Sequence, residues 1–278
     1  MIWRRCLCTS AAALALTAGA LSAEPKVFAE TPEGAAALRE MHALGVQFFD
    51  KQYDMAVPGG FALIAAGSAE GLVTQLQAAG FRVRGIKAAR TCPGHRTGGI
   101  AGRGMVALCW SDAGPLVTDA ARATMVHELM HQVQYHLAQD FPVRRVGDDL
   151  LFGPAWMVEG SAEWIEEVFR NGRASDGTRL FRLQEPARRN QTALTDLVAH
   201  GSLETGRTYG VARFAAYLLA ERYGDQALFD YFVALGRLED RDAAFREVFG
   251  MSLAQFEAEF AAVRRHYGDA RRWAGVAE

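Results

Sequence analysis

One pentapeptide constrains this chain more than any other feature. Within Ala123-Thr124-Met125-Val126-His127-Glu128-Leu129-Met130-His131, two histidines stand four positions apart around a glutamate. On a helix such positions differ by about 40° of rotation and about 6 Å of rise. Both imidazoles therefore leave one face and can reach one ion. Glu128 stands beside them, where a carboxylate can take a proton from a water held by that ion. Two histidines leave a four-coordinate ion short of protein ligands, so a third must come from another stretch.

Helix-grade sequence resumes at Pro154 and contains Trp156-Met157-Val158-Glu159-Gly160-Ser161-Ala162-Glu163-Trp164. Glu159 lies 28 positions after His131, enough chain for one helix to end, a loop to turn and a second helix to return antiparallel. His-Glu-x-x-His is the zinc-peptidase pattern, in which His nitrogens bind at about 2.0–2.1 Å and one position stays open for water. With Trp-x-x-Glu-Gly-x-Ala-Glu-aromatic following it, the chain resembles the gluzincin metallopeptidases. Within them it is most similar to the peptidase-MA-like bacterial proteins, and more distantly to the zinc aminopeptidases and thermolysin. The tail Ala244-Phe245-Arg246-Glu247-Val248-Phe249-Gly250-Met251-Ser252, followed by Phe256 and Phe260, extends the resemblance to roughly residues 60 to 265. It implies one Zn2+ per chain held by His127, His131 and Glu159, with Glu128 as general base, in an exported zinc metallopeptidase acting on a peptide or protein substrate.

Other positions take less from the resemblance. Glu163, one turn after Glu159 on the same face, is placed to accept the outer ring N–H of a zinc-bound histidine, the alternative being a solvated helix glutamate. Tyr209 precedes Gly210 in Thr208-Tyr209-Gly210-Val211-Ala212-Arg213-Phe214. In the aminopeptidase relatives a tyrosine so placed donates to the tetrahedral oxyanion, which implies that role for Tyr209; His200 is the competing donor, and a core tyrosine the plain alternative. The Gly-x-Met-Glu-Asn stretch with which the zinc aminopeptidases hold a substrate amino terminus is absent. Aminopeptidase specificity is thus unsupported, and endopeptidase or carboxyl-side action stays open. Two alternatives to a peptidase remain: a zinc-stabilised, non-catalytic binding module of the cell envelope, and a zinc hydrolase of another amide or ester.

The first 23 residues read as a secretory signal: Arg4 and Arg5, an apolar run from Ala11 to Leu21, then Leu21-Ser22-Ala23 for cleavage. The run is shorter than the about 20 residues of a membrane span; an uncleaved anchor is the alternative. Cleavage removes Cys6 and Cys8 and leaves Cys92 and Cys109. In an exported chain such a pair reads as a disulfide around a segment with five glycines, against two unpaired thiols. A net charge of −2 carries no basic surplus for nucleic acid. Past the signal no apolar run reaches membrane-spanning length, so no stable membrane insertion is expected after cleavage.

The expected fold is α+β and zincin-like. A small N-terminal α/β lobe over residues 24–115 packs its sheet on the metal-binding helix, and a mainly helical lobe over 116–278 carries the zinc site. Helical spacing predicts Glu33–Gln52, a helix capped by Ser68 and ended by Gly80, Leu116–Gln139, and Pro154–Phe169. Further helices are expected over Leu194–Ala199, Thr208–Tyr223, Asp225–Leu235, Arg241–Phe249 and Leu253–Tyr267. Strands are predicted at Phe61–Ala66, Phe81–Ile86 and Met105–Trp110, with a glycine-rich loop before the last. In gluzincins an edge strand pairs with extended substrate, and 105–110 is the strand expected to do so. The Arg- and Gln-rich stretch after Asn171-Gly172 reads as a linker.

Overall fold

A computed structural model of the protein describes residues 24–82, 85–94, 97–110, 115–139, 144–146, 149–151, 153–173, 176–199, 203 and 206–276. The segment 1–23, read as a signal, and His200 lie outside them.

A strand that the sequence reading did not anticipate, β1 (Lys26–Ala29), pairs in parallel with β2 (Ala62–Ala66). Between them α1 (Pro32–Tyr53) begins on Thr31, whose hydroxyl accepts from the Gly34 N–H at 3.0 Å. Ser68 caps α2 (Ala69–Ala78) in the same way, through the Gly71 N–H. Gly80, at φ +87°, then turns the chain away in a conformation that favours glycine.

Among the described residues of the strand expected over Phe81–Ile86, none is in a strand, and Gly85 and Ile86 instead open α3 (Gly85–Thr91). The place beside β2 is taken by β4 (Met105–Cys109), and α3 buries Ala88 with Leu72 and Leu76 of α2 against the sheet. The expected glycine-rich loop is partly a strand, β3 (Gly98–Gly102), antiparallel to β4. The sheet order β1-β2-β4-β3 therefore puts β4 inside the sheet, and the edge strand is β3 rather than 105–110. β2 and β4 are apolar at every position because both faces are covered. Leu63, Ala65, Val106 and Leu108 face α1 and the helix that follows, while Ile64, Ala107 and Cys109 lie under α2 and α3. Cys92 and Cys109 are bridged, with Cα atoms 5.1 Å apart, which ties the end of α3 to the end of β4.

Thr118 caps α4 (Asp119–Leu137) by accepting from the Ala121 N–H at 3.0 Å. A small antiparallel hairpin follows, β5 (Arg144–Val146) and β6 (Asp149–Leu151), and then α5 (Ala155–Asn171). The expected linker is a helix, α6 (Gly177–Arg189). Its apolar stripe of Leu180, Leu183 and Ala187 is buried at helical spacing but interleaved with arginines, which hid it in the sequence. A single 3-10 turn at Leu194–Asp196 replaces the helix expected to reach Ala199. The remainder is helical: α7 (Gly206–Tyr223), α8 (Gln226–Leu238), α9 (Arg241–Phe249), α10 (Leu253–Val263) and α11 (Tyr267–Ala274). The last two divide what the spacing predicted as one helix running to Tyr267.

The fold is thus mixed α+β, mainly helical around a small four-stranded sheet. One hydrophobic core runs from Leu38 and Leu63 through Val126 and Trp156 to Phe245 and Phe260, so residues 24–115 and 116–276 share it. Among the described residues no helix is long and apolar enough to cross a membrane.

Candidate metal centre

Helix α5 returns antiparallel along α4, pairing His127 with Glu166, His131 with Glu159, and Gln134 with Val158. The Nε2 atoms of His127 and His131 lie 3.4 and 3.5 Å from Glu159 Oε2. All three residues are buried. A four-coordinate zinc with bonds of about 2.05 Å has ligand atoms about 3.3 Å apart along each tetrahedral edge. The donor set therefore fits zinc in type and spacing. Glu128, between the two histidines, is also buried.

The outer nitrogens of the histidines are fixed by different partners. His127 Nδ1 donates to Glu166 Oε2 at 3.2 Å, and Glu166 is held in turn by Arg170 at 2.7 Å. Glu166 is thus the carboxylate hydrogen-bonded behind His127, and Glu163, expected there, has a carboxylate oxygen within 4.8 Å of both. Glu163 sits half-buried 3.5 Å from Arg213 of α7, because the rotation of α5 turns it toward that helix. His131 Nδ1 meets Gln134 Oε1 at 2.8 Å. Gln134 Nε2 donates to Val158 O at 2.9 Å and to Ser161 Oγ at 2.8 Å. Since a backbone carbonyl only accepts, Val158 fixes the amide nitrogen of Gln134 on its own side. The amide oxygen is then left to accept from His131, whose Nε2 keeps its lone pair toward Glu159. The sequence reading missed Gln134; its position on α4, one turn after His131, was the only signal available.

Burial opposes a charge on His127, yet hydrogen bonds to Glu159 and Glu166 and the charge of Glu128 outweigh it and raise its pKa well above the usual imidazole value. Burial also works against the Glu166 carboxylate, but the bond and charge of His127, with Arg170, bring it down to about 2. Desolvation pushes the Glu128 carboxyl up, against the pull of the two histidines. Glu163 is raised for the same first reason.

Two close approaches complete the centre. A Cβ on Gly160 would lie 2.3 Å from Ala212 O, so the glycine after Glu159 lets the backbone of α7 rest on α5. A Cβ on Gly99 would lie 2.5 Å from Glu128 Oε1, so β3 passes directly against that carboxylate. Helices α5 and α7 run parallel, with Gly160 against Ala212 and Trp164 against Tyr217. Tyr209, half-buried near the start of α7, precedes Arg213, the arginine beside Glu163, by one turn. Trp156 and Trp164 are wholly buried, and His136 is exposed. None of the protein-family models, curated proteins or solved structures compared with this chain matches it.

Proposed function

We propose that the protein is an exported zinc-dependent peptidase. The observation that carries the reading is the convergence of His127, His131 and Glu159 at ligand spacing, with Glu128 on the same helix and the open strand β3 against it. Zinc bound there would polarise both a water and the carbonyl of the bond to be cut. Glu128 is the group positioned to hold the proton taken from that water and to hand it to the departing nitrogen. Its burial raises its affinity for a proton, which suits the task. Glu166 and Gln134 hold the two imidazoles with their Nε2 atoms inward. Tyr209, on α7 one turn before the arginine beside Glu163, is the proposed donor to the oxyanion. Among the described residues β3 pairs only with β4, and its other edge supplies backbone groups on which an extended peptide can lie. Export agrees with the Cys92–Cys109 bridge, since disulfides persist in oxidising compartments.

The test is purified mature protein incubated with a mixed peptide library, with and without a chelator, beside Glu128→Gln. Cleavage that needs zinc and Glu128 supports the proposal. A Glu128→Gln protein that cleaves at the parent rate removes it, and a zinc-loaded parent that cleaves nothing favours the binding-module alternative.

A further inference from the structure

We propose that the groove beside the β3–β4 turn is a carboxylate subsite, holding an acidic group of the substrate about four residues from the bond that is cut. The inference rests on the peptidase reading and names the substrate class that reading leaves open.

Strand β3 and helix α4 run side by side in the same direction. Gly99 lies against Glu128 and Thr124. Further along, the buried amide of Gln132 donates to Gly102 O and Met105 O, both at 2.9 Å. Arg103, next on the turn, then stands across the groove from Tyr135 and His136. From Gly99 to Gly102 is about 10 Å of extended chain and Arg103 follows in the turn, a span of about three to four substrate residues. A peptide on the open edge of β3 with its reacting bond at Glu128 therefore delivers a side chain or an end group to Arg103.

The groove has a volume of about 200 Å³, room for one such group with water, and none of the residues lining it is acidic. Arg103 makes no ion pair among the described residues. The turn is anchored as well: besides the Gln132 clamp, Gly104 O accepts from the Ala62 N–H at 2.9 Å. Arg103 is thus presented on a fixed backbone beside the hydroxyl of Tyr135 and the amide of Gln139, donors suited to a carboxylate. The result is a positional preference: an acid favoured about four residues from the cleaved bond.

The experiment uses the zinc-loaded Glu128→Gln protein, which binds without turnover, and neutral labelled peptides through which a single Glu or Gln is walked. A second pair differs only in a free or amidated carboxyl end, which separates a side-chain carboxylate from a chain terminus. One position, or the free end, should bind about tenfold tighter as the acid, and Arg103→Gln in the same background should bring that ratio to about one. Peptides that bind without any acid preference overturn the proposal, as does a preference that survives Arg103→Gln. Glutarate titrated into isotope-labelled protein reads the groove without peptides. Saturating shifts at Gly104 and His136 that vanish in Arg103→Gln support the subsite even if no peptide binds and the peptidase reading falls. No shifts there refute it.

Discussion

Replacing Gly160 by alanine tests how closely α5 and α7 must approach. The added Cβ would stand 2.3 Å from Ala212 O and 2.7 Å from its carbonyl carbon, both backbone atoms that no rotamer change can move aside. Reaching an ordinary 3.4 Å contact requires the helices to part by about 1 Å at that point. Parting also loosens neighbouring contacts, such as Trp164 against Tyr217 with ring centroids 5.1 Å apart. Overpacking of this kind costs about 1–3 kcal/mol, and a backbone obstacle puts Gly160 at the upper end. Alanine returns about 1 kcal/mol of helix propensity. The net expectation is a loss of about 2 kcal/mol, or about 4–8 °C in a chain of this size. Gly34→Ala is the control: its Cβ would meet nothing closer than Thr31 Oγ1 at 3.4 Å, so that variant should be neutral or slightly stabilised. Urea unfolding of both variants in chelator isolates the packing effect from metal binding. A Gly160→Ala protein that unfolds at or above the parent midpoint would refute the close-approach argument. Zinc affinity should fall in the same variant, because Glu159 is the adjacent residue.

Gln134→Leu removes the acceptor behind His131, and zinc affinity should drop by about 10–100-fold, as read by competition with a chromogenic chelator. Nitrogen-15 NMR of the metal-free protein should show His131 losing its single Nδ1–H tautomer while His127 is unchanged. Tyr209→Phe should lower kcat by about 10²–10³ with little change in KM or zinc content; a normal kcat with lost stability would make it a packing residue. Reducing Cys92–Cys109, which closes a separation of 17 residues, should cost about 3 kcal/mol in unfolding, and thiol titration that finds both cysteines free beforehand would remove the bridge.

What could be read in the sequence was local. The His127–His131 face and the Ser68 cap depend on spacings of three or four residues, and those spacings survive in the fold. β3 was hidden because glycine carries no strand signal; two of its glycines are there because other atoms occupy the space a side chain would need, Thr91 O at Gly98 and Glu128 at Gly99. The alternation at Phe81–Ile86 looked like a strand because nothing in it reveals that β4 takes the place beside β2. The exchange of Glu163 for Glu166 has the same origin. Which carboxylate reaches His127 is set by how α5 is rotated against α4 and α7, and that is a property of packing among three helices.

The central claim is that His127, His131 and Glu159 hold one zinc, and elemental analysis of the purified mature chain beside His131→Ala measures it. The account predicts about one zinc per chain in the parent and a small fraction of that in the variant, with Glu128→Gln retaining the parent content. A parent that carries no zinc after exposure to it, or a His131→Ala protein with a near-stoichiometric load, would contradict it.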